Sequence, residues 1–240
     1  MPEVNENTVA DLRARIAAVR SQIENAARRS GRVADEIRLV AVSKTHPSEI
    51  LKAAIESGAT DFGENRVQEA EAKIAEIGRE AVTWHLIGNL QANKARKAVR
   101  LFDLIHSLDS IELAERLERV CGEENRENLD VLIQVDLAGE ATKSGVPETD
   151  LPALVEFLKN CSHLKLRGLM ILPPFFEDAE RVRPFFRHLR EIRDRVFGDE
   201  RAELSMGMSH DFEIAVEEGA TIVRVGTAIF GERGNPKSQI

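Results

Sequence analysis

Tyrosine is absent from the 240 residues, which removes every mechanism that needs a phenol as acid or base. Cysteine is scarce: Cys121 and Cys161 are too few for a disulfide framework or a four-thiolate zinc site, and no metal is expected. Long apolar runs are missing too. No stretch approaches membrane-spanning length, and the polar, acidic segment from Met1 to Asn7 has no hydrophobic signal core. Positive charge is the minority sign, with 33 Lys and Arg against 41 Asp and Glu and a net charge of -8. That balance argues against generic binding to nucleic acid or an anionic membrane. The expectation is a cytoplasmic protein with neither as partner.

What is present is alternation. An opening helix is expected from Val9 to Ala27, where Leu12, Ile16, Val19 and Ile23 recur at helical spacing. Short apolar runs then alternate with helical patterns: strands at 37–43, 60–62, 82–87, 103–106, 130–135, 164–171, 202–206 and 221–225, each followed by an amphipathic segment. Strand–helix alternation implies right-handed crossovers and a parallel sheet. Eight such units in a chain of this length match a (β/α)8 TIM barrel with an extra N-terminal helix, although spacing alone leaves a doubly wound sheet open. No linker or fixed-period repeat divides the chain. A single domain over 1–240 is expected, with the helix in 1–35, the barrel in 36–231 and a tail in 232–240.

Polar residues recur where those strands end, at the expected mouth of a barrel. Lys44 follows Ile37-Arg38-Leu39-Val40-Ala41-Val42-Ser43, and an ammonium desolvated there would favour the free amine that forms a Schiff base with a carbonyl. A surface lysine closing a strand is the plainer reading of that segment alone. Ser205-Met206-Gly207-Met208-Ser209 and Arg224-Val225-Gly226-Thr227 end the seventh and eighth strands, where small residues can expose backbone N–H groups to a phosphate. Ser209 could instead be only a helix cap. The two loops opposite a lysine suit pyridoxal 5'-phosphate, with its aldehyde on Lys44, its phosphate at Ser209, Gly226 and Thr227, and Arg224 near the ring nitrogen. Arg224 paired with Glu64, Asp136 or Glu232 is an equal alternative. His85, beside Trp84, is expected near the cofactor or else as a satisfied core histidine, and Asn65 is expected at the ring hydroxyl or else as a cap for the helix beginning at Arg66. Two basic helices, one with Lys94, Arg96, Lys97 and Arg100 and one with arginines from Arg181 to Arg195, read as solvated outer faces. Docking of an acidic partner is their minority reading.

These segments carry a resemblance. Leu39 to Thr45, Gly63-Glu64-Asn65-Arg66-Val67-Gln68-Glu69, Trp84 to Lys94, Glu140-Ala141-Thr142-Lys143-Ser144-Gly145, Gly168-Leu169-Met170, Leu204 to Ser209 and Arg224 to Gly231 together resemble the pyridoxal phosphate homeostasis protein family. The resemblance implies the barrel of the alanine racemase N-terminal domain, with pyridoxal phosphate bound to Lys44. The implied site is Lys44, Asn65, His85, Met206, Ser209, Arg224, Gly226 and Thr227, with no established catalytic residue. It further implies a role in vitamin B6 balance, buffering or delivering the cofactor, with dependent apoenzymes as partners; a monomer is expected. The family's tyrosine after Glu-Asn is Arg66 here. Two rivals stand beside this reading: an amino-acid racemase or lyase using the same cofactor, and a Schiff-base aldolase acting on a sugar phosphate through Lys44.

Overall fold

The computed structural model describes residues 6–139, 144–198 and 201–231. The tail at 232–240, with Glu232, and the stretch from Glu140 to Lys143 lie outside the described residues. Strands β1 (Arg38–Val42), β2 (Asp61–Glu64), β3 (Thr83–Leu86), β4 (Leu104–Leu108), β5 (Leu129–Asp136), β7 (Leu164–Met170), β8 (Glu203–Met208) and β9 (Ile222–Val225) pair in parallel. β1 lies between β2 and β9, and β4 also pairs with β5. That last pairing closes the ring and excludes the doubly wound alternative. A two-residue strand, β6 (Val146–Pro147), attaches to the end of β5 outside the ring and was not foreseen.

The helices are α1 (Glu6–Arg29), α2 (Ser48–Glu56), α3 (Val67–Ile77), α4 (Ala95–Leu101), α5 (Ile111–Glu123), α6 (Leu151–Lys159), α7 (Arg183–Phe197), α8 (Phe212–Glu217) and α9 (Thr227–Phe230). Expected and observed bounds agree to within a few residues. The main departures are single 3-10 turns at Ala92–Lys94 and Ala179–Val182, where helices were expected to have begun already. In α1, the apolar stripe Leu12, Ile16, Val19, Ile23 and Ala26 is fully buried, which is what its spacing demands.

Side chains alternate between the two faces of each strand, so two cores form. The larger one fills the space between strands and helices. A small separate cluster of Val40, Leu104, Leu132, Met170 and Ile222 takes one residue from each of five strands, and therefore fills the barrel itself. The inward positions above and below it hold the polar residues that matter below. On the outside, the basic helices face carboxylates of this chain: Arg96 meets Glu123 and Glu124, Lys97 meets Glu71, Arg183 meets Glu180, Glu217 and Glu218, and Arg195 meets Glu148. The solvated-face reading holds for them.

Candidate functional site

The turn carrying Lys44 is held from one side. Ser43 extends the ladder by donating its N–H to the Gly63 carbonyl at 3.1 Å. Its hydroxyl donates to Glu64 Oε1 at 2.6 Å, and its carbonyl accepts from Lys73 Nζ at 2.8 Å. Lys73 also donates to Glu64 and Glu69, at 2.7 Å each. Thr45 then takes φ of 69°, a left-handed conformation costly for a β-branched residue. Its N–H is caught by Glu69 Oε1 at 2.5 Å, which offsets part of that cost. Lys44 is thus presented by a strained turn clamped to α3, and it is half-buried. Glu64 is not a mouth residue: it faces α3, fully buried, and burial pushes its carboxyl above the ordinary range despite Lys73.

The loops after β8 and β9 meet, through Ser209. Ser209 does not cap α8. Asp211 precedes that helix and accepts the Met208 N–H at 2.6 Å, while Ser209 reaches across to α9. There its Oγ accepts the N–H groups of Gly226 at 3.1 Å and Ala228 at 3.4 Å. A neutral oxygen held by two backbone donors at a loop turning into a helix marks where an anion's oxygen fits. Gly226 permits this approach: a Cβ there would lie 3.3 Å from the Val42 carbonyl, on the strand that leads to Lys44. His46 stacks on Phe230 of α9 with ring centroids 4.8 Å apart, a second bridge between the Lys44 turn and this cradle. Thr227, the first residue of α9, is exposed beside it.

Arg224 is buried inside the barrel, 2% exposed, and burial lowers its pKa to about 10, which leaves it charged at neutral pH. It donates Nη1–H to Ser205 Oγ at 2.5 Å and Nη2–H to the Ile171 carbonyl at 2.9 Å. None of the expected carboxylates takes it among the described residues. Glu64 is held by Lys73, and Asp136 accepts the N–H groups of Ala138 and Gly139. These two bonds use two of its five N–H donors among the described residues.

Two of the expected residues do not join this group. His85 is at mid-strand with its ring inside the barrel, Nε2 3.0 Å from Asp61 Oδ1 and Nδ1 3.0 Å from His106 Nε2. Asp61 opens β2, so the ring is directed toward the end opposite the mouth, and the satisfied-core alternative is the one realised. Met206 follows inward-facing Ser205, so alternation turns its side chain outward into the helix-facing core, where it is fully buried. Sequence reasoning passed over His106, Ser205 and Lys73. The signal for His106 was available: one histidine in each of two adjacent apolar strands.

Asn65 is not a cap either. Helix α3 is preceded by Arg66 with no side-chain cap, and Asn65 Oδ1 is buried without a hydrogen-bond partner. Orphaned buried polar atoms are uncommon and point to a missing group. Its backbone rests on Gly88, where an added Cβ would fall 2.3 Å from the Asn65 carbonyl oxygen. The two thiols take no part, since burial pushes both Cys121 and Cys161 up to about 11. No helix among the described residues is long and apolar enough to cross a membrane.

Comparison with known proteins gives a consistent picture. The profile of the alanine racemase N-terminal domain matches residues 15–234. The pyridoxal phosphate homeostasis protein of Aquifex aeolicus is 44% identical over 222 residues, spanning 91% of this chain and 97% of that protein. The Escherichia coli K12 protein of the same name is 40% identical over 237 residues, spanning 95% and 99%. Among solved structures, PipY of Synechococcus elongatus without pyridoxal phosphate superposes with a TM-score of 0.83 at 42% identity, covering 92% of this chain and all of that one. The same protein with pyridoxal phosphate bound gives 0.81. An alanine racemase from Corynebacterium glutamicum, 18% identical, shares the barrel at a TM-score of 0.63.

Proposed function

Because the chain belongs to the pyridoxal phosphate homeostasis proteins, within the alanine racemase N-terminal domain family, we propose that it binds pyridoxal 5'-phosphate and buffers or delivers it inside the cell. The observation that carries this reading is the cradle of Ser209, Gly226 and Ala228, joined through Val42 and His46 to the turn of Lys44. When bound, the cofactor supplies an aldehyde and an aromatic ring that can delocalise charge. Lys44 would hold the aldehyde carbon covalently, with release of water. Ser209, Thr227 and the backbone of Gly226 would hold the phosphate, and the orphaned Oδ1 of Asn65 would accept from the ring hydroxyl. Arg224 would offer its remaining N–H donors to the ring nitrogen. A permanent donor there would keep that nitrogen unprotonated and make the ring a poor electron sink.

Such a site binds without turning over, and we take the protein as a carrier acting as a cytoplasmic monomer, with apoenzymes as recipients. The expected result in heavy water is exchange of an added amino acid's α-hydrogen no faster than with free pyridoxal phosphate, followed by proton NMR. Rapid exchange that disappears in Lys44→Ala would make the protein an enzyme. The binding reading itself is tested by titrating pyridoxal phosphate and pyridoxal against the visible absorption of the protein. Thr227→Val should weaken the phosphorylated vitamer about tenfold and leave pyridoxal unchanged, since hydrogen bonds to a charged group contribute about 1.5–3 kcal/mol. Equal weakening of both would put the anchor elsewhere.

A further inference from the structure

A continuous line of polar groups, all buried except the partly exposed Asp61, runs through the barrel. Asp61 Oδ1 is 3.0 Å from His85 Nε2, His85 Nδ1 is 3.0 Å from His106 Nε2, and His106 Nδ1 is 2.8 Å from Ser205 Oγ. Ser205 in turn meets Arg224 Nη1 at 2.5 Å. His85, His106 and Ser205 are each fully buried, so no water competes for these contacts. Five strands contribute one residue each, and nothing described above requires two histidines on the barrel axis.

We propose that Asp61, His85, His106 and Ser205 form a one-directional hydrogen-bond chain that positions the Arg224 guanidinium toward the barrel mouth. The direction follows from the two ends. Arg224 can only donate, so Ser205 Oγ accepts from it and is free to donate its own hydrogen onward. At the other end, an ionised Asp61 can only accept. Burial opposes its ionisation, but hydrogen bonds from His85 and Thr60, with the charge of Arg38 3.7 Å away, outweigh that and hold it below the usual carboxylate range. His85 therefore carries hydrogen on Nε2 and presents a lone pair at Nδ1. His106 donates from Nε2 to that lone pair and accepts from the Ser205 hydroxyl at Nδ1. Burial pushes the His106 pKa well below its ordinary value, which keeps its ring uncharged. Asp211 is the carboxylate whose charge acts on Arg224.

Every hydrogen in the line points from Arg224 toward Asp61, so each bond polarises the next. The end result is a Ser205 lone pair fixed on Nη1, which, with the Ile171 carbonyl on Nη2, sets the plane of the guanidinium. The remaining donors then face the mouth. The value of this arrangement rests on the proposed cofactor reading, in which Arg224 meets the ring nitrogen, but the chain itself can be observed without cofactor.

The test begins with long-range proton–nitrogen NMR of the cofactor-free protein at pH 8, its six histidines assigned by single His→Gln variants. Both His85 and His106 are expected as uncharged Nε2–H tautomers. Finding either as the Nδ1–H tautomer or as an imidazolium would overturn the proposal, whether or not any variant folds. Asp61→Asn supplies the second arm. Thr60 keeps the amide carbonyl on its own side, so the NH2 group donates to His85 and reverses the line, as an amide does in place of a triad carboxylate. The His106 hydrogen is then expected to move to Nδ1, and its staying on Nε2 would overturn the proposal. In the third arm, bound pyridoxal phosphate is expected to show a shifted pH profile of its visible band in Asp61→Asn and Ser205→Ala. Unchanged profiles in both would overturn the positioning role, whereas a wild-type protein with no band at all would instead overturn the cofactor reading.

Discussion

Lys44→Ala is expected to abolish the covalent adduct with pyridoxal phosphate: after borohydride reduction and proteolysis, the cofactor-bearing peptide seen in wild type disappears. The expectation rests on where the other amines are. Lys73 is the nearest rival by sequence neighbourhood, yet its ammonium donates to Ser43, Glu64 and Glu69 and has no hydrogen left to direct elsewhere. An amine with all three hydrogens engaged inside the fold is not presented to an aldehyde. Lys97 is on the outer surface against Glu71, and Lys165 donates to the Ser162 carbonyl. Among the described residues, only Lys44 leaves a strand end in a turn bridged to the cradle, through His46 and Phe230. In the variant the proposed phosphate contacts would remain, so weakened, reversible binding without a reducible linkage is the expected remainder. An adduct found on Lys94 or Lys143 in wild type would remove Lys44 from its role and with it the geometry argued for Arg224.

Residues that announce their neighbourhood by chain order were legible from the sequence. Lys44, Gly226 and Thr227 each come within two residues of a strand end, and once the strands were counted the barrel brought those ends together. Ser209 left a helix cap open as an alternative, because a serine three residues before a helix looks like one and its reach across to α9 is a tertiary fact. Where the side chains of His85 and Met206 point could not be read from the motifs that contain them. A motif marks which strand a residue belongs to, but its side-chain direction depends on the pleat, and a shift of one position exchanges barrel interior for helix-facing core. Met206 lost its place that way, one residue from inward Ser205. His85 does face inward but points toward Asp61, at a depth that no spacing rule encodes. Likewise the clamp on Lys44 was hidden, since Ser43, Glu64 and Lys73 come together only when β1, β2 and α3 are packed.

That clamp gives the largest expected effect on stability. Lys73→Met is expected to cost about 3–5 kcal/mol in urea denaturation near pH 7.5, the usual consequence of removing one partner from a buried ion pair. Glu64 is fully buried, and its Oε2 already has no hydrogen-bond partner among the described residues. Without Lys73 its remaining support would be the Ser43 hydroxyl at 2.6 Å. The sign of the pH dependence follows from the same group. Burial raises the Glu64 pKa in the folded protein, and Lys73 opposes that rise, so the variant raises it further. A carboxyl with a folded pKa above its unfolded one binds its proton more tightly when folded, and the protein loses stability as pH rises through that interval. The variant's deficit should therefore shrink as pH is lowered from 7.5 toward 5. Adding Glu64→Gln to Lys73→Met should recover much of it at neutral pH by removing the orphaned charge. A loss below about 1 kcal/mol, or one independent of pH, would show that water reaches Glu64 in place of the lysine. The Ser43 carbonyl would then need no lysine to fix it, and on the α3 side the strained Thr45 turn that presents Lys44 would be held by Glu69.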